Sequence, residues 1–256
     1  MKEDILSYPI DINPLDECVN FVMSRLGCPV VPGFSTCAWL ACMNPHSYAM
    51  TLVDPIFASA LRDADWLIPD GIGLTWASRL LGGSIRQRVT GSDIFFTLNQ
   101  RLNAQKGWSV FFLGATEETL VKIRTRMAID YPNISVAGTY SPPFKPVYSA
   151  MEMDVMIAAI NVTRPDVLWV GMTAPKQEKW IFENRERLEV HFAAAIGAVF
   201  DFYTGNIKRS HPVFQWLGLE WLPRLVQQPK RLWKRTFVSA PIFVWHVIRK
   251  VILKRD

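Results

Sequence analysis

An α/β fold, with a Rossmann-like parallel sheet and helices on both faces, is what the sequence predicts, and three observations predict it. Short runs that are apolar throughout (Trp66-Leu67-Ile68, Trp108–Leu113, Val167–Val170 and Phe192–Ile196) alternate with segments of helical period. Uninterrupted apolar runs mean strands buried on both faces, the condition of a parallel sheet; a half-solvated antiparallel sheet alternates instead. Each run stops at a glycine or at Pro69-Asp70-Gly71, the punctuation of a tight strand-to-helix turn. The 256 residues can bury one large core or two small ones, and half of them are hydrophobic, as in a globular protein.

In chain order, Asp54–Asp65 has helical spacing, with Ile56, Phe57, Ala60 and Leu61 on one side, and leads into the strand Trp66-Leu67-Ile68. A helix starts near Ile72, and Ile94–Asn103 is a second, followed by the strand Trp108–Leu113. Glu117–Ile129 reads as an amphipathic helix, Ile134–Tyr140 as a strand and Met151–Asn161 as a helix. Val167–Val170 is a buried strand, Gln177–Leu188 a helix, and Phe192–Ile196 the last strand, ending at Gly197-Ala198. No internal repeat or low-complexity linker interrupts the series.

The one shift in composition falls near Ile207–Trp216 and divides the chain into a core, residues 1–215, and a helical appendage, residues 216–256. The appendage holds nine Lys or Arg against two acids, a net +7, while the whole chain is +5; residues 1–215 therefore carry −2. It also holds Trp216, Trp221, Trp233, Phe237, Phe243 and Trp245. Cations mixed with Trp and Phe suit an anionic, half-apolar membrane boundary. The longest apolar run, Phe237 to Ile248, contains Pro241 and His246 and falls short of the roughly 20 residues that cross a bilayer, so the expectation is a segment lying on a membrane. The N-terminal residues show no basic-then-apolar pattern, so secretion is not expected. Cys18, Cys28, Cys37 and Cys42 form no CxxC pair and read as small buried hydrophobes in a reducing compartment.

Four stretches sit where strands end: Pro69–Gly73, Leu113–Thr116, Gly171–Glu178 and Gly197–Asp201. In a parallel α/β sheet ligands bind beyond the carboxyl ends of the strands, where small residues admit a ligand to the backbone and helix N-termini favour phosphate. Asp70 is the leading carboxylate: it follows an apolar run, and partial desolvation there lifts a carboxyl toward the range of a general base. The alternative role for Asp70 is to cap the helix that follows. Gly114 alone is far from the GxGxxG fingerprint that a nucleotide-dependent oxidoreductase would carry. Asp63-Ala64-Asp65 matches the DxD pattern of metal-dependent sugar transferases but precedes its strand, so it reads as a solvated helix end and no metal site is expected. His46, His191, His211 and His246 are isolated and read as packing or hydrogen-bonding residues, His46 standing out beside Asn44. Arg86–Gly91 is a basic turn suited to clamping a phosphate or the acceptor. A nucleic-acid binder would also use a basic tail, but the −2 body and the interleaved Trp, Phe, Val and Ile point to lipid, and no nucleic-acid partner is expected.

Taken in order, Asn44, Asp65–Gly73, Arg88–Asp93, Phe112–Gly114, Tyr131-Pro132, Pro165-Asp166, Pro175–Trp180, Gly197–Asp201 and Gly218–Arg224 resemble the WecG/TagA/CpsF family of bacterial glycosyltransferases, from about Thr36 to about Arg235. The resemblance implies inverting transfer of a sugar from a UDP-sugar (UDP-glucose, UDP-N-acetylmannosamine or its uronic acid) to a polyprenyl-diphosphate-linked saccharide for a surface or exopolysaccharide. It places the enzyme at the cytoplasmic face of the inner membrane, peripherally bound, with no cofactor or essential metal. It casts Asp70 as base with Arg88 beside it, Asn44 and Gln177 as substrate-binding residues, and Arg224, Arg231 and a third basic residue, Lys234 or Arg235, as appendage groups meeting the diphosphate; the strand-end positions add Gly71, Gly73, Gly114, Glu178 and Asp201 as substrate contacts. One position departs: the family carries Thr where this chain has Cys42, and a thiol is a poor hydrogen-bond partner.

Overall fold

The computed structural model describes residues 1–27, 37–207 and 233–253. Six strands, β3 (Ala38–Met43), β4 (Trp66–Pro69), β5 (Ser109–Gly114), β6 (Ser135–Tyr140), β7 (Val167–Gly171) and β8 (Phe192–Ala195), form one sheet in the order β4-β3-β8-β7-β5-β6. Every pair in it is parallel. All carboxyl ends therefore lie along one edge, with β4, β3, β8 and β7 adjacent there. β1 (Lys2–Ile5) and β2 (Tyr8–Asp11) form a separate antiparallel hairpin.

Side chains alternate along the strands between two cores. Trp39, Ala41 and Met43 of β3, with Leu168 and Val170 of β7, join the hairpin and the helices α2 (Pro45–Thr51), α3 (Pro55–Asp63), α4 (Ile72–Leu80), α7 (Ala150–Asn161) and α8 (Lys176–Asn184). Leu40 of β3 and Trp169 of β7 join α1 (Leu15–Leu26), α5 (Gly91–Gln105), α6 (Glu117–Asp130) and α9 (Val199–Thr204) on the other face. Helices thus cover both faces, as continuous apolar strands require. Every strand and helix expected between residues 54 and 196 is present. The hairpin, α1, β3 and α2 are additions that the apolar runs do not announce.

The C-terminal helix α10 (Ala240–Leu253) is entered through a π-helical turn, Arg235–Ser239. Together they make one helix of 19 residues, long and apolar enough by length and composition to cross a membrane. This corrects the shorter run read from the sequence. Pro241 does not interrupt the helix: it is the second residue of α10, directly behind the π turn, where the hydrogen-bond ladder is already shifted and its missing N–H is tolerated. The helix is docked on the core: Phe243 and Val247 are buried with the α2 side chains, and Tyr48 stacks edge-on against Phe243 at 5.4 Å. The boundary between residues 215 and 216 lies outside the described residues.

Candidate active site

A cavity of about 260 Å³ opens beyond the carboxyl ends of β3, β4, β7 and β8. It is lined by Asn44 and Asp70 from the first two, by Gly171–Ala174 with Gln177 and Glu178 after β7, and by Ile196–Val199 with Asp201 after β8. Three of the four strand-end stretches therefore converge. The fourth, Leu113–Thr116, is not in the lining. Gly114 instead lets β5 approach β7: a Cβ there would lie 2.6 Å from the Gly171 carbonyl oxygen.

Asp70 is positioned by backbone and side chain together. Its N–H donates to the Met43 carbonyl (2.8 Å), tying the end of β4 to the end of β3, and Asn44 Nδ2 approaches its Oδ2 at 3.5 Å. Asn44 is held in turn, because its Oδ1 caps α2 by accepting from His46 N and Ser47 N, both at 3.0 Å, with Pro45 at the first helical position. The N-cap of α4 is Gly71, at φ 95°, so the residue after Asp70, and not Asp70 itself, occupies the capping position. Gly73 serves packing: a Cβ would meet Pro45 Cγ at 2.6 Å, so only glycine lets the first turns of α4 and α2 touch.

Gln177 and Glu178, in the first turn of α8, are almost wholly buried in the cavity floor. Gln177 Nε2 donates to Glu178 Oε1 at 2.9 Å. Gln177 Oε1 and Glu178 Oε2 meet no hydrogen-bond partner among the described residues. Burial pushes the Glu178 carboxyl up to about 7, against the lowering effect of the Gln177 bond. Cys42 also lines the cavity; burial first, then the charges of Asp70 and Glu178, holds its thiol well above its usual value, so it is a neutral group there.

The opposite wall comes from the C-terminal helix. Arg235 lines the cavity, whereas Lys234 does not. His46, which the sequence assigns to packing or hydrogen bonding, is part of the lining and bonds through Nδ1 to Ser239 Oγ at 2.8 Å. Burial, then Arg235 and Lys234, lowers its pKa to about 4, so the ring is neutral. Tyr48 OH bonds to His246 further along the same pair of helices. Thr90, Gly91 and Ser92 complete the lining at the start of α5, where Thr90 and Asp93 form a reciprocal capping box. That box accounts for the Thr-Gly-Ser-Asp pattern. Arg88, two residues earlier, is half-buried and does not line the cavity. Gly71, Gly73 and Gly114 shape it without lining it. Arg224 and Arg231 lie outside the described residues.

Asp63 and Asp65 are far from this chemistry, at the amino end of the sheet. Asp65 Oδ2 accepts from Trp39 N (2.9 Å), and Asp63 Oδ2 accepts from Trp39 Nε1 (3.2 Å) and pairs with Arg185 (2.8 Å). Both carboxylates fasten the start of β3.

Close packing behind the cavity makes one substitution costly. A Cβ on Gly171 would overlap the buried ring of Phe200, the neighbour of Asp201. Gly171→Ala is expected to cost about 1–3 kcal/mol, as overpacking does, and to lower the thermal midpoint. An unchanged midpoint would show that α9 yields without strain.

The sequence matches the glycosyl transferase WecG/TagA/CpsF family over residues 3–256. Among curated relatives, an N-acetylglucosaminyldiphosphoundecaprenol N-acetyl-beta-D-mannosaminyltransferase of Bacillus spizizenii strain W23 is 33% identical over 212 residues, 83% of this chain and 79% of the relative. Proteins of the same name from Bacillus subtilis strain 168 and Staphylococcus aureus strain MW2 are 29% and 27% identical, covering 83% and 80% of this chain and 80% and 78% of theirs.

Proposed function

Because the chain belongs to the WecG/TagA/CpsF glycosyltransferase family, we propose that this cavity transfers a hexosyl residue, with inversion, from a UDP-sugar to a polyprenyl-diphosphate-linked saccharide. The observation that carries the proposal is the convergence of Asp70, Asn44, Gln177 and Arg235 on one cavity at the carboxyl edge of a parallel sheet.

In-line displacement needs a base on one side of the anomeric carbon and charge stabilisation on the other. Asp70 takes the proton of the acceptor hydroxyl as its oxygen bonds to the anomeric carbon. The bond from that carbon to the UDP oxygen breaks, and UDP leaves with the electron pair. Asn44 keeps the Asp70 carboxylate aimed. Guanidinium groups neutralise the departing diphosphate: Arg235 from the wall, with Arg88, Arg224 and Arg231 as further candidates. Gln177 offers its Oε1 to a sugar hydroxyl or amide group, and Glu178 holds the Gln177 amide in place. No step is assigned to a metal. The basic and aromatic C-terminal segment, from Trp216 onward, holds the enzyme on the anionic cytoplasmic face of the membrane, where a lipid-linked acceptor resides.

A screen of UDP-sugars against a synthetic lipid-diphosphate-saccharide acceptor tests the reading. UDP-N-acetylmannosamine comes first, from the names of the relatives, beside UDP-glucose and the uronic acid. The expected result is acceptor-dependent UDP release with one donor, undiminished by EDTA. No transfer from any of them would sink the proposal; loss with EDTA and recovery with Mg²⁺ or Mn²⁺ would replace the arginine account of leaving-group stabilisation.

A further inference from the structure

Helix α4 has an exposed face that a soluble protein does not need. Ile72, Trp76 and Leu80 recur every fourth residue along it, and Trp76 and Leu80 are 60% and 58% exposed. The other side of α4 is already buried through Leu74 and Ala77. A helix with one face in the core carries polar residues on its other face when that face meets water; here the face is apolar, with Arg79 as its charged member.

The neighbour of α4 repeats the pattern. α10 buries Phe243 and Val247 and leaves Trp245, Ile248 and Ile252 exposed, Trp245 at 63%. The two helices touch: a Cβ on Gly73 would lie 4.0 Å from Phe243 Cε1. With 3.6 residues per turn, Trp76 and Leu80 project within about 60° of the direction of Gly73, so they flank the line of contact with α10.

Charge names the occupant. Residues 72–88 contain Arg79, Arg86 and Arg88 and no acid, and residues 233–253 contain Lys234, Arg235, Arg249 and Lys250 and no acid. Among the described residues, two acids of the N-terminal hairpin meet these segments and are engaged: Asp4 pairs with Lys250, and Glu3 accepts from Ser78 Oγ and Ser84 N; Asp70, Glu178 and Asp201 share the cavity with Arg235 and belong to the site, not to the exposed helix faces. Apolar residues with Trp among them, on helices whose own charges are all cationic, match an anionic lipid interface.

We propose that α4 and α10 together form the seat of this protein on an anionic lipid surface, so that the catalytic core itself, and not the C-terminal segment alone, contacts the bilayer. The inference rests on the membrane reading above and extends it to the core. It has a geometric consequence. Asp70 immediately precedes Gly71, the N-cap of α4, and a nine-residue helix is about 13 Å long. The turn bearing Asp70 is thus joined directly to a helix resting at headgroup level, where the diphosphate of a lipid-linked acceptor lies.

The test is co-sedimentation of the full chain with vesicles of phosphatidylglycerol and phosphatidylcholine in equal parts, and with phosphatidylcholine alone. Trp76→Gln/Leu80→Gln is expected to lower partitioning onto the anionic vesicles about a hundredfold or more, as loss of two buried apolar side chains does, and to leave transfer to a water-soluble acceptor unchanged. Trp245→Gln/Ile248→Gln is expected to act similarly, and Trp76→Phe, which keeps the apolar body, to retain most binding. A loss confined to the α10 variant overturns the inference and leaves the membrane reading intact. No loss in either variant, in a protein that does sediment with vesicles, overturns both. A self-associated wild type that Trp76→Gln/Leu80→Gln renders monomeric, with vesicle binding unchanged, assigns the α4 face to a second copy of the chain. Equal binding to both vesicle types removes the electrostatic half of the proposal.

Discussion

Asp70→Asn is expected to lower turnover by about 10²–10⁴-fold, the range in which a positioned base contributes, while UDP binds with an unchanged Kd. The amide keeps the shape of the carboxyl and its contact with Asn44, and the bond from Asp70 N to the Met43 carbonyl is untouched. The fold is therefore preserved, and an unchanged thermal midpoint checks this. What disappears is the basicity of the carboxylate that takes the acceptor proton. Asn44→Ala removes the amide near Asp70 Oδ2 and the α2 cap together, so its smaller loss of turnover is accompanied by about 1 kcal/mol of lost stability. Turnover of Asp70→Asn within a few-fold of wild type would remove Asp70 as the base, and a matching loss of UDP affinity would make it a donor-binding residue.

Much of this site is legible in the sequence, for a physical reason. A parallel sheet buries its strands on both faces, so Trp108–Leu113 and Val167–Val170 stand out as apolar runs, and the residues after such runs occupy one edge. Asp70, Gln177, Glu178 and Asp201 follow from that rule, and all four line the cavity. The misses are equally physical. The turn of the N-terminal hairpin is Leu6-Ser7 with φ of 53° and 70°, values for which glycine or asparagine is the usual signal. β3 mixes alanines with Trp39 and Cys42 and so lacks the bulk of the other runs. Asn44-Pro45 did carry a readable mark, a capping residue with proline at the first helical position, and it would have placed His46 beside Asn44 at the start of a helix. That His46 reaches Ser239, 193 residues away, is a tertiary fact with no local trace. In the basic turn Arg86–Gly91 the sequence marks a phosphate clamp, and the structure adds that Thr90 and Asp93 at its end build the cap of α5.

Glu178 is where burial and chemistry meet most sharply, and its replacement separates two roles. Its folded-state pKa of about 7 lies above its ordinary value of 4.5 because burial penalises the charged form. The folded protein then holds the proton more tightly than the unfolded chain. That contribution is complete below about pH 4.5 and is lost as pH rises through about 7, a swing on the order of 3 kcal/mol. Glu178→Gln mimics the protonated acid, so it is expected to flatten the fall in thermal midpoint between about pH 5 and about pH 8 and to leave the variant the more stable protein at the upper end. The same variant keeps an oxygen to accept from Gln177 Nε2, the bond that orients the Gln177 amide in the cavity. Glu178→Gln is therefore expected to turn over within a few-fold of wild type, and Glu178→Ala, which leaves the buried Gln177 donor without its acceptor, to lose about tenfold or more, the cost of one orphaned buried donor. Equal losses in both variants would mean that the carboxylate itself contacts the substrate. Wild-type turnover in Glu178→Ala would mean that Gln177 needs no neighbour to hold it.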